Sequence, residues 1–526
     1  MISNLLSLMT FFPLVGALVL LVIPNKEKTA LKAVTLVVTI ITFFISLPLA
    51  FNDVFTTSAE MQYTEFYRWI NIGDFFQMNY SIGVDGISLW LVLLTTFIMP
   101  IAVLSTWHAV EKSIKGFMVM LLLLETGMLG AFVSLDLFLF YIFWELMLVP
   151  MYFLIGIWGG KNRIYAAVKF FIYTAVGSLL MLVAIIYVYY FGMKSGISPN
   201  GFSIADFYRL SIDPSLQTWL FLAFAFSFAI KVPMFPFHTW LPDAHTEAPT
   251  AGSVILAAIL LKMGTYGYMR FAMPLFPEAL HTFMPLLATL ATIGIIYGAL
   301  VAMMQDDVKK LVAYSSVSHL GFVMLGIFAL NLEGMAGGML QMVNHGISTG
   351  ALFLIVGFIY ERRHTRQISE FGGLAKQMPI FATIFMIITF SSIGLPGTNG
   401  FVGEFLALIG AFQSELRIYA IIASSGVIFA AVYMLWMFQR VMFGELKNPE
   451  NQKLKDLDAR EITLMVPLLV FVFWIGVYPN TFFEKMNPSL EKLIHQVKSK
   501  QQVAMVQPAV IPAAPMAAPP AAGGHH

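Results

Sequence analysis

Fourteen stretches of about twenty mostly apolar residues, each long enough to cross roughly 30 Å of hydrocarbon, fix what this chain can fold into. They lie near 4–23, 31–50, 85–107, 116–134, 136–158, 166–192, 217–236, 250–270, 281–303, 311–330, 335–359, 379–411, 414–438 and 462–480. The longest polar connections, 51–84 and 193–216, are too short for a soluble domain, so the expected fold is an all-α polytopic membrane protein of about 14 transmembrane helices. Charge is scarce, 11% against roughly 25% in soluble domains. A net charge of +1 offers no basic field for nucleic acid. Zero cysteines exclude disulfides, thiolate metal sites and a cysteine nucleophile, leaving Lys, Glu, Asp and His to carry any chemistry. The first apolar stretch lacks a basic leader and an Ala-x-Ala site, so it reads as a first span that is not cleaved.

Basic residues set the expected orientation. Nineteen lie in connections after odd-numbered spans and nine on the other side, so the odd connections face the cytoplasm and both termini face outward. Lys231 and Lys262 fall inside spans, as do Glu145 and Glu404. At about 2.5 to 3.5 kcal/mol each, four such groups cost on the order of 10 to 14 kcal/mol in lipid, so they face protein or water. Structural salt bridging alone is the plain alternative, although burying ion pairs usually gains nothing over apolar packing.

His319 and His345 sit in the middle of spans ten and eleven. Ser315 and Ser318 accompany the first, Gln341 and Thr349 the second, at spacings that place a polar stripe on a helix face. Each could be only an interhelical contact; together with these neighbours they suit a hydrated proton path, because imidazole titrates near neutrality. Helix interruptions add a third signal. Pro233 and Pro236 follow Lys231, and Gly394, Pro396, Gly397, Gly400 and Gly403 precede Glu404. Broken spans survive in a membrane only where they line protein or a water cavity. Lys231 lies 115 residues past the start of span four and Glu404 lies 123 past the start of span nine, five spans later, so the two copies would be inverted.

This divides the chain into N-terminal helices (1–115), a first five-helix repeat (116–270), a second, inverted repeat (281–440), helix 14 with a C-terminal segment (441–500) and a disordered Pro/Ala-rich tail (501–526). The run from His238 to Glu247 holds His, Asp and Glu at spacings that match no zinc pattern, and no glycine-rich nucleotide loop is present. No metal or cofactor is expected in the chain.

The motifs FLFYIFWELMLVPMYFLIGIWGG around Glu145, KVPMFPFHTWLPDAHTEAPTAGSVILAAILLKMGTYGYMRF around Lys231 and Lys262, DDVKKLVAYSSVSHLGFVMLGIF around His319 and SSIGLPGTNGFVGEFLALIG around Glu404 closely resemble the antiporter-like membrane subunits of respiratory complex I. The resemblance runs from about Gly83 to Pro479. Sibling subunits usually carry Lys in broken span twelve, and Glu404 resembles the sibling type with a carboxylate there. What the resemblance implies is a proton-translocating subunit of NADH:quinone oxidoreductase, set among other membrane subunits of a bacterial inner membrane, with NADH, FMN, iron-sulfur clusters and quinone held by its partners. It assigns Glu145 and Lys231 to the ion pair of an inner half-channel, Lys262 and His319 to a central relay, His345 to the next step and Glu404 to the outer relay. A Mrp-type sodium/proton antiporter or membrane-hydrogenase subunit shares this plan, and Glu404 argues against both. A non-conducting scaffold would not need Lys231, Lys262 and Glu404.

Overall fold

The structure, a computed structural model, describes residues 4–51, 54–73, 76–198 and 201–506, the last five by backbone alone. Apolar runs form helices here because lipid offers no partner for a bare peptide group, so each segment must close its own hydrogen bonds. In chain order the principal elements are α1 (Leu5–Val22), α2 (Lys28–Ser46), β1 (Gln62–Ile72), β2 (Phe76–Val84), α3 (Gly86–Ser105), α4 (Ile114–Val133), α5 (Leu137–Leu146), α6 (Leu148–Trp158), α7 (Arg163–Lys194), α8 (Pro214–Lys231), α9 (Trp240–Glu247) and α10 (Thr250–Leu275). They continue with α11 (Pro277–Met303), α12 (Val308–Phe328), α13 (Leu332–Arg363), α14 (Pro379–Ser392), α15 (Asn399–Phe412), α16 (Arg417–Met442), α17 (Ala459–Val477) and α18 (Asn480–Val506).

Twelve spans among the described residues are long and apolar enough to cross a membrane by themselves. The other two of the expected fourteen are α8 and the broken pair α14 and α15, each half of which has 14 residues. Both breaks fall where proline and glycine put them: α8 ends at Lys231, and α14 stops at Ser392 ahead of Gly394 and Gly397, whose φ values of +73° and +90° suit glycine. Aspartates start several helices. Asp85, Asp136 and Asp307 accept hydrogen bonds from the first free backbone N–H groups of α3, α5 and α12.

Burial separates the centre from the rim. The apolar windows of α10, α12 and α13 are 94%, 94% and 100% buried, whereas those of α7, α16 and α17 are 39%, 33% and 33% buried and turn large side chains outward. The polar groups of α10, α12 and α13 are therefore held among protein rather than lipid.

Three features depart from the expectation. Residues expected to form a polar connection fold as an antiparallel hairpin, β1 with β2, whose Met78, Ile82 and Val84 face inward and whose Glu65 accepts from the Leu6 N–H at 2.9 Å. Past the last span, α18 lies against the bundle: Lys485 donates to the Ala50 carbonyl at 2.5 Å, Ser489 accepts from Gly86 N–H at 3.0 Å, and Lys500 donates to the Pro274 carbonyl at 3.2 Å. This helix runs to Val506, five residues beyond Gln501, where the tail was expected to begin; residues 507–526 lie outside the described part.

Candidate functional site

Lys262 sits in the most enclosed stretch of the bundle. Two π-helical turns, Leu256–Leu260 and Tyr268–Ala272, flank its part of α10. A π turn leaves a carbonyl without its usual helical donor, and the Lys262 ammonium, fully buried, donates to the Ala257 carbonyl. Its second partner is the Nδ1 of His345 on α13, at 2.6 Å. Only one proton can lie between two nitrogens at that distance, so one of the two donates and the other accepts.

From His345 the polar row continues sideways. The rings of His345 and His319 stand 6.0 Å apart, centroid to centroid, at 61°. His319 Nδ1 lies 2.6 Å from Glu404 Oε1, and that oxygen also accepts from Gln341 Nε2 at 2.9 Å. The other His319 nitrogen meets the hydroxyls of Ser392 and Tyr433, both at 3.4 Å. All four principal groups are buried, none exposing more than 3%. The order is Lys262, His345, His319, Glu404, which corrects the expected placing of His319 beside Lys262 with His345 after it. Helix α13 explains this: it packs against both α10 and α12, and its His345 touches Lys262 on one and faces His319 on the other.

The helix break holds Glu404 in place. Asn399 opens α15 within a cluster in which its Oδ1 accepts from Ser391 Oγ at 2.5 Å and its carbonyl accepts from Asn344 Nδ2 at 2.7 Å. Gly403, one residue before Glu404, brings the α15 backbone against α13: a Cβ there would stand 2.9 Å from Gln341 Cα. Of the expected polar stripe, Gln341 joins the row, whereas Ser315 and Ser318 donate to helix carbonyls instead, Val312 and Ile295.

Glu145 and Lys231 do not form the expected ion pair; no salt bridge joins them among the described residues, which corrects that assignment. The Lys231 ammonium lies over the Trp144 ring at 5.1 Å and the Phe170 ring at 5.9 Å, a cation–π seat at the end of α8. Glu145 Oε1 is buried with no hydrogen-bond partner among the described residues. Glu145 lies within electrostatic range of Lys231 without touching it, while the Trp144 ring takes the direct contact.

Several buried ionisable groups escaped the sequence reading. Glu125 on α4 is fully enclosed, and neither of its oxygens has a hydrogen-bond partner among the described residues. Arg270, counted above as an outward loop cation, is buried in α10 and grips Asp85 with both terminal nitrogens, at 2.8 and 2.5 Å. Lys309, counted as an inner loop cation, is buried in the first turn of α12. Of the His238–Glu247 run, Asp243 pairs with Lys169 at 2.7 Å and His245 stacks on Phe353 at 4.5 Å, so its acids and imidazoles do not converge. The Asp85–Arg270 pair had one sequence signal, an Arg at the edge of an apolar run, and Lys309 had none.

Residues 134–430 match the family described as NADH:quinone oxidoreductase/Mrp antiporter, TM. NADH-quinone oxidoreductase subunit M of Rhodobacter capsulatus is 48% identical over 94% of this chain and 96% of its own length. NADH-ubiquinone oxidoreductase chain 4 of Marchantia polymorpha is 44% identical over 94% and 98%. Among solved structures, a chain of respiratory complex I from Thermus thermophilus with bound NADH superposes with a TM-score of 0.84 at 32% identity, covering 94% of this chain and 99% of that one. A core of buried amine, imidazole and carboxylate on α10, α12, α13 and α15, in a chain this similar over nearly its whole length, leaves one assignment: the chain belongs to the NADH:quinone oxidoreductase/Mrp antiporter family of membrane subunits, and its relatives there are the subunit M and chain 4 proteins.

Proposed function

We propose that the chain is a proton-translocating, antiporter-like membrane subunit of an NADH:quinone oxidoreductase, and that Lys262, His345, His319 and Glu404 conduct the proton. One observation carries this reading: the two 2.6 Å contacts, Lys262 to His345 and His319 to Glu404, lie in one buried row with the imidazoles facing across 6.0 Å. Within each contact a proton shifts by about 1 Å between atoms already in hydrogen-bond reach. Between the imidazoles it crosses by ring rotation or one bridging water. Lys231 and Glu145 act upstream as separate groups: Lys231 held over Trp144 gives up that seat when Glu145 turns towards it, and a charge moved within the bundle changes what the Lys262–His345 pair prefers.

Oxidation of NADH and reduction of quinone fall to partner subunits that hold the flavin and the iron-sulfur clusters; zero cysteines leave this chain no thiolate to bind a cluster. The two broken spans support inverted repeats over 116–270 and 281–440, the basic connections support both termini lying outside the cytoplasm, and the bacterial subunit M relative supports a bacterial inner membrane.

The test is proton uptake by inverted vesicles oxidising NADH, normalised to assembled complex. Glu404→Gln keeps size but not the titrating proton, and uptake is expected to fall by about tenfold or more. Glu404→Lys is expected to retain more than Glu404→Gln, because Lys262 beside His345 is already an amine–imidazole contact of the same kind. Full uptake with Gln at 404 would remove Glu404 from the path.

A further inference from the structure

A cavity of about 690 Å³ opens on the side that carries most of the basic connections, between the loop before α4, the α6–α7 turn and the ends of α9, α12 and α13. Near α10 its lining includes the short side chains of Ala248, Pro249, Thr250 and Ala251, with Gly357 of α13. Lys309 lines the cavity together with Arg163, Glu247, Glu361 and Arg366, and its ammonium donates to the Ala248 carbonyl at 2.5 Å, from a side chain only 6% exposed. Ala248 closes the short helix α9, whose last carbonyls lack helical donors. Behind this lining lies His245, fully buried with neither ring nitrogen hydrogen-bonded among the described residues, within electrostatic range of both Lys309 and Lys262. Ser253, also fully buried, donates to the His245 carbonyl at 3.0 Å.

We propose that Lys309 is a positioning residue that works as a latch: its bond to the Ala248 carbonyl closes the cavity against the buried polar groups around Lys262. The charges facing it are arranged to let it move without leaving a bare ion. Arg366 on the α13 side is engaged, pairing with Asp307 at 3.2 Å and donating to the Thr246 carbonyl at 2.6 Å. Glu247, a cavity-lining carboxylate from α9, accepts from the Asn162 N–H at 2.9 Å and keeps a second oxygen for an approaching ammonium. A swing of Lys309 from the Ala248 carbonyl towards Glu247 exchanges a neutral acceptor for a charged one, and water then reaches His245 past alanine, threonine and glycine. A latch of this kind admits protons to one end of the row without a continuous open channel. The inference rests on the proton-path reading for its purpose, although not for its geometry.

The experiment reads accessibility, so it is independent of pumping. Ser253→Cys is introduced into this cysteine-free chain within the whole complex, and modification of that position by a small, positively charged methanethiosulfonate is followed by mass on this chain. With Lys309 present, position 253 is expected to stay protected. With Lys309→Met added, a charge-assisted hydrogen bond is lost, and modification is expected to run about tenfold faster or more. Lys309→Arg, which keeps a donor to the carbonyl, is expected to restore protection and guards against a merely misfolded Met variant. Equal protection in all three, or equal reactivity in all three, would overturn the latch. Failure of the proton path would show separately, as undiminished proton uptake in Glu404→Gln.

Discussion

An amine, two imidazoles and a carboxylate, all within a few ångströms and all out of water, form an arrangement that a stabilising core would avoid. Buried charges are costly unless paired, and this molecule shows what pairing for stability looks like elsewhere: Asp85 and Arg270 make a two-pronged contact, with Tyr266 accepting from the Arg270 Nε at 3.1 Å. Asp85→Asn is expected to cost about 3–5 kcal/mol by stranding the guanidinium, and Asp85→Asn with Arg270→Met to recover much of that. Thermal unfolding of the purified complex, followed through loss of this subunit, is the readout. A double variant as unstable as the single one would mean that the pair does more than neutralise itself. The proposed conducting groups were legible in the sequence because ionisable side chains in the middle of apolar runs are costly in lipid and stand out there. Arg270 and Lys309 were not, since near the end of a run a cation reads as a loop residue whether it faces water or the core. The Glu145–Lys231 pairing failed for another reason: which way a side chain points on a helix is settled by neighbours such as Trp144, which spacing does not reveal.

Among the helices, the interruptions do the positioning. The α14–α15 break turns Asn399 and Glu404 towards α13, and the α8 break brings Lys231 over α5. Prolines and glycines announced both. The π turns of α10 had no such signature, because an extra residue in a helical turn needs no special side chain and is decided by packing and by Lys262 reaching Ala257. The hairpin and α18 were hidden by composition: alternating Met78, Tyr80, Ile82 and Val84 is a short pattern among polar residues, and α18 is too polar to register as a span. Close approach of α15 to α13 also yields a prediction. Gly403→Ala places a Cβ against Gln341 and Asn344, and Gln341 is the side chain that donates to Glu404. Assembly is expected to persist with proton uptake reduced several-fold, as for other shifts of about 1 Å at a reacting group. Uptake unchanged in Gly403→Ala would mean that Gln341 does not steer Glu404.

At the scale of the molecule, orientation and connectivity decide the direction of flow. Thr57→Cys, in the exposed connection before β1, and Lys447→Cys, in the exposed connection after α16, lie on opposite sides of the bundle by the count of basic residues. An impermeant maleimide added to the outer face is expected to label position 57 and spare 447, and the reverse pattern would invert the path. Connectivity is the central claim, that Lys262, His345, His319 and Glu404 form one path in series. Groups in series are non-additive when removed, because a path interrupted once is already interrupted. The deciding measurement is proton uptake per NADH oxidised by the complex in proteoliposomes, for Lys262→Met, His319→Gln and the two together. The account predicts that each single variant lowers the ratio and that the double variant lies no lower than the more affected single. A double variant whose loss equals the sum of two partial losses would place the residues on separate routes and contradict it.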